Sequence, residues 1–97
     1  MTEKLAETEL VAALAALSNW RHDVAIGAIT REFKFSDFSE AFGFMARVAF
    51  VANEANHHPN WSNSYDQVTI TLSTHTVGGV TTKDIDLAKA IDSLGQH

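Results

Sequence analysis

The 97 residues carry a formal net charge of −5, no cysteine and 45% apolar side chains. That is enough for a single domain with a modest core, expected over residues 1–97, and the lack of thiols excludes disulfides and thiolate chemistry. Seven scattered Lys and Arg against twelve acids exclude nucleic acid as a direct ligand. No stretch reaches the roughly 20 apolar residues of a membrane span, and the acidic start does not read as a secretory signal, so the expected address is cytoplasmic.

Residues 7–17 read as a helix. Leu10, Leu14 and Leu17 recur at i, i+4 and i+7, with alanines of high helix propensity between them. Ser18 and Asn19 end it, and Trp20 leads into a strand pair over residues 20–35. The second strand is the clearer: Ile29, Arg31, Phe33 and Phe35 alternate with Thr30, Glu32 and Lys34. Gly27 suits the connection between them. A long helix follows over residues 37–56, with Asp37 and Glu40 at capping-box spacing. Phe38, Ala41, Phe42, Met45, Val48, Ala49 and Ala52 form its expected core stripe, with Phe44 and Val51 off it and Phe50 beside it. A helix this apolar all round implies packing on another subunit, unless the first and last helices cover the extra face.

Pro59 is expected to end that helix and to push His58 into extended backbone. Residues 61–65 and 68–75 read as a hairpin, since Val68, Ile70 and Leu72 alternate with Thr69, Thr71 and Ser73. With Asp66 and Gln67 as the turn, Tyr65 faces Val68 and His75 faces His58. The neighbouring choice, Tyr65 and Asp66, sets His75 opposite Asn56. Opposed residues lie about 5 Å apart, so either register returns His75 to the corner at His57 and His58. Gly78 and Gly79 make a joint before a last helix over residues 82–94. Thr81 and Asp84 have capping-box spacing there, and Ile85, Ala88, Ile91 and Leu94 form the buried stripe. Residues 95–97 are expected to fray. The order α-β-β-α-β-β-α with short hairpins predicts an α+β fold: a four-stranded antiparallel sheet with three helices on one face.

Three of the five histidines, His57, His58 and His75, thus gather near the only proline. Imidazole gives and takes a proton near neutrality, which makes the corner a candidate for acid–base chemistry. Two other readings fit: a polar helix end before a proline, and a three-imidazole zinc site, although adjacent histidines rarely converge on one ion. Asp84 can cap the last helix, hold a histidine, or do both. Trp61 and Tyr65 read as hairpin core, and His22 and His97 as solvated.

These residues are similar to those of the pterin-4a-carbinolamine dehydratase family, which in animals also supplies a dimerisation cofactor to homeodomain transcription factors. The resemblance covers nearly the whole chain. It rests on residues 14–20 and on Phe33-Lys34-Phe35-Ser36-Asp37-Phe38 with Ala41-Phe42-Gly43-Phe44-Met45. It continues in His57-His58-Pro59 with Trp61 and Tyr65, in Thr71-Leu72-Ser73-Thr74-His75, and in Asp84-Ile85 with Leu87-Ala88.

The resemblance implies the same α+β fold and a hydro-lyase that converts 4a-hydroxytetrahydropterin to quinonoid dihydropterin, a step of tetrahydrobiopterin recycling after aromatic amino acid hydroxylases. It implies His57 and His75 as the acid–base pair, His58 as substrate orienter and Asp84 as partner to a histidine. The pterin pocket maps onto His57, His58, Pro59, Thr74, His75, Thr76, Val77 and Trp20. No redox step occurs, so no nicotinamide, flavin or metal cofactor is required. Homodimers or homotetramers are implied, built partly through helix packing. A non-catalytic, coactivator-like partner protein on the same scaffold is the alternative. The chain departs from the family at Asn53, four positions before His57, where an acid is frequent; Glu54 follows.

Overall fold

Two hairpins build the sheet, and the apolar residues of their inner strands supply its buried face. In the computed structural model, which describes residues 3–94, the strands are β1 (Arg21–Asp23), β2 (Ala28–Lys34), β3 (Asn60–Ser64) and β4 (Gln67–Leu72). They form one antiparallel sheet in the order β1-β2-β4-β3. Helices α1 (Glu7–Ala15), α2 (Phe38–Ala55) and α3 (Thr82–Asp92) complete the α-β-β-α-β-β-α order, an α+β fold as the sequence predicts. Val68, Ile70 and Leu72 of β4 and Ile29 and Phe33 of β2 are fully or almost fully buried. Thr69 and Thr71 point to the opposite, polar face, where Thr71 meets Thr30 at 3.2 Å. Gly27, at φ +63, turns β1 into β2 as expected. The expectations for residues 95–97, including His97, lie outside the described residues.

Helix α2 is rotated relative to the expected stripe. Its buried residues are Ala41, Phe44, Val48 and Ala52, spaced i, i+3, i+7 and i+11 along one face. Phe44, expected off the core, packs its ring 4.8 Å from Phe33 and 4.9 Å from Phe35. Phe38, Phe42 and Phe50 instead stand 51%, 62% and 77% exposed. The aromatic pair at the end of β2, Phe33 within it and Phe35 just after it, selects the Phe44 side, because two rings at these distances gain about 0.5–1.5 kcal/mol beyond area burial.

The helix also ends earlier than Pro59 requires. Asn56 takes the left-handed conformation, φ +52, and closes the last turn. The His57 N–H then donates back to Ala52 O at 3.1 Å.

The β3–β4 register is the alternative one. Ser64 pairs with Gln67 and Asn63 with Val68, so the turn is Tyr65 and Asp66. Asn63 explains the choice: its Nδ2 donates to Tyr65 O at 3.1 Å and Gln67 O at 2.9 Å. The Phe35 N–H adds a bond to Asp66 O at 2.8 Å. Tyr65 therefore sits at the turn tip and is 63% exposed, and Trp61, on the edge strand, is 38% exposed; neither is hairpin core. Strand β4 stops at Leu72, so His75 is not on the ladder at all. It begins a single 3-10 turn, His75–Val77.

Candidate active site

Three chain segments converge at one end of the sheet. The first is the exit of α2, where Asn56 redirects the chain so that His57 and His58 leave the helix axis. The second is the loop after β4, pinched where Thr74 N donates to Gly79 O at 2.8 Å and Val77 N to Thr74 O at 3.1 Å. The third is the first turn of α3. Between them lies a polar cavity of about 290 Å³ lined by Asn56, His57, His58, Ser73, Thr74, His75, Thr76 and Lys83. The three imidazoles expected to gather thus line the same cavity. They arrive by a tight loop rather than by strand pairing.

The histidines differ in setting. His57 is 12% exposed and its Nε2 lies 2.6 Å from Asp84 Oδ1. His58 and His75 are exposed. His58 also borders an apolar cleft of about 440 Å³ with Ala49, Phe50, Ala52, Asn53, Pro59 and Trp61. Asn53 faces that cleft rather than lining the polar cavity. A third cavity, about 160 Å³, reaches His57 and Lys83 from the α3 side, alongside Asp86.

Asp84 is completely buried. Its Oδ2 accepts from Thr81 N and from Thr74 Oγ1, both at 2.8 Å, while Oδ1 meets His57. One carboxylate therefore caps α3 and holds a catalytic candidate at once. A buried carboxylate is tolerated because donors satisfy both of its oxygens.

Of the expected pocket residues, His57, His58, Thr74, His75 and Thr76 share the polar cavity, and Asp84 reaches it through His57. Pro59 lies in the adjoining cleft. Val77 belongs to the 3-10 turn but does not line the cavity. Trp20 is elsewhere: it is 4% exposed, packs edge-on to Phe33 at 6.2 Å, and its Nε1 donates to Asp92. Asp92 also pairs with Arg31 at 2.7 Å. Sequence reasoning missed Asn56, Ser73 and Lys83 as lining residues. Lys83 carries no sequence signal; its place follows only from the cap at Thr81. Among the described residues, no three His, Cys, Asp or Glu side chains group as metal ligands would.

The family model for pterin 4 alpha carbinolamine dehydratase matches residues 3–94. The chain belongs to the pterin carbinolamine dehydratase family. A relative from Paraburkholderia xenovorans, named "Putative pterin-4-alpha-carbinolamine dehydratase", is 54% identical over 97% of this chain and 98% of its own length. A protein of the same name from Rhodospirillum rubrum is 55% identical over the same shares. Among solved structures, a "transcriptional coactivator/pterin dehydratase" from Brucella melitensis superposes with a TM-score of 0.91 at 47% identity, covering 95% of this chain and 98% of its own. A pterin dehydratase-like protein described as a RuBisCO assembly factor in the alpha-carboxysome reaches a TM-score of 0.68 at 25% identity, covering 81% of this chain and 93% of its own. The relatives and structural neighbours thus carry titles for activity and for assembly.

Proposed function

We propose that this chain is a single-domain, cytoplasmic hydro-lyase that dehydrates 4a-hydroxytetrahydropterin to quinonoid dihydropterin in tetrahydrobiopterin recycling, downstream of an aromatic amino acid hydroxylase. The observation that carries the reading is the shared cavity of His57, His58 and His75, with Asp84 2.6 Å behind His57. Loss of water needs a proton delivered to the C4a hydroxyl and a proton removed from the ring as the C=N bond forms. Two imidazoles supply both transfers near neutrality, each contributing about 10²–10⁴-fold. His57 suits the base role, because its contact with Asp84 at 2.6 Å fixes the orientation of the ring. His75, exposed on the facing loop, suits the acid role. His58 orients the pterin from the cavity rim, with Thr76 and Lys83 beside it. The chemistry requires no cofactor.

A homodimer or homotetramer accompanies this reading. The exposed Phe38, Phe42 and Phe50 on α2, with Trp61 on the neighbouring edge strand, are too much aromatic surface to leave in water. The same face supports the second reading, a non-catalytic partner protein, as do the coactivator and assembly-factor titles of its structural neighbours. Assay with an authentic 4a-carbinolamine separates the two. Acceleration by the wild type, lost in His57→Ala and His75→Ala with folding retained, supports the enzyme; no acceleration by the wild type supports the partner.

A further inference from the structure

Behind the histidine cavity runs a row of buried hydroxyls with a fixed direction. Thr74 is 5% exposed and Thr81 0%. A threonine hydroxyl has a single hydrogen to donate. Thr74 Oγ1 uses its hydrogen on Asp84 Oδ2, at 2.8 Å. The 2.6 Å contact between the two hydroxyls therefore runs from Thr81 to Thr74. Thr81 Oγ1 itself accepts the Lys83 N–H at 3.2 Å. The chain of donors is Lys83 N–H to Thr81, Thr81 to Thr74, and Thr74 to Asp84. At its far end Asp84 Oδ1 faces His57 Nε2 at 2.6 Å. An acceptor-only carboxylate there requires the imidazole hydrogen on Nε2.

Building on the dehydratase reading, we propose that Thr81 is a positioning residue. Its hydroxyl keeps Thr74, and through it Asp84, aligned so that His57 holds its hydrogen on Nε2 and offers Nδ1 as the reacting nitrogen. A partner on one imidazole nitrogen decides which nitrogen is free. In a buried row each bond polarises the next, so a hydroxyl three links away acts on the ring without touching it. Thr74 then serves the site through its side-chain bond to Asp84 rather than by contacting substrate.

Two measurements test this. The first needs no substrate: two-bond ¹H–¹⁵N correlation spectra of the neutral imidazole of His57. The wild type is expected to show a single Nε2–H tautomer, Thr81→Val a mixture, and Thr81→Ser the wild-type pattern. A wild-type His57 with its hydrogen on Nδ1, or a Thr81→Val spectrum identical to the wild type, overturns the proposal. The second is turnover. Thr81→Val is expected to lower kcat about tenfold with KM within about twofold, and Thr81→Ser to restore it. Equal kcat losses in both variants would mark Thr81 as merely structural. If the wild type has no dehydratase activity, the reading of the reaction falls while the spectra still decide the role of Thr81.

Discussion

Asp84 and His57 meet at 2.6 Å although 27 positions apart in sequence, and the other oxygen of the same carboxylate caps helix α3. The helix cap and the candidate site are tied together at one fully buried side chain. Asp84→Asn is therefore expected to damage both. The amide can no longer accept on both of its positions, leaving a buried donor unpaired at a cost of about 1–3 kcal/mol. Urea unfolding should report that loss, and kcat should fall at least tenfold in the fraction that remains folded.

The two cavity histidines on different segments should behave alike in activity and differently in stability. His57→Ala and His75→Ala are each expected to lower kcat by about 10² or more. His75 is exposed, so its removal should leave the unfolding midpoint nearly unchanged. His57→Ala strands the buried Asp84 and should lower the midpoint measurably. His22→Ala, on β1 and away from the cavity, should leave turnover at the wild-type rate.

The two aromatic faces of α2 make opposite predictions. Phe44→Ala empties a fully buried ring site against Phe33 and Phe35 and is expected to cost about 3–5 kcal/mol. Phe42→Asp with Phe50→Asp, both exposed, should leave the far-UV circular dichroism intact. Light scattering should then show a smaller species than the wild type.

Asn63 holds the β3–β4 turn through two side-chain bonds. Asn63→Ala is expected to cost about 1 kcal/mol in unfolding free energy. Amide exchange should speed up around Ser64 and Gln67, where the hairpin register is set.

The sheet and helix order were readable because Val68 to Leu72 keep a period of two and Ile29 to Phe35 depart from it only at Arg31. The rotation of α2 was not, because phenylalanines occupy several sides of it and only the rings of Phe33 and Phe35 decide which side is buried. The hairpin register was not, because neither candidate turn contains glycine and the deciding contact is the Asn63 amide. His75 reached its predicted neighbours by a different route, a 3-10 turn closed between Thr74 and Gly79. The spacing of Thr81 and Asp84 announced a helix cap. That the same carboxylate turns its other oxygen to His57 depends on packing between segments that no local pattern records.

The most direct test of the central claim is the rate of dehydration of a 4a-carbinolamine by the purified protein and by its His57→Ala and His75→Ala variants. The account predicts clear acceleration over the uncatalysed reaction by the wild type and its near disappearance in both folded variants. Wild-type rates from both variants, or no acceleration by the wild type, would contradict it.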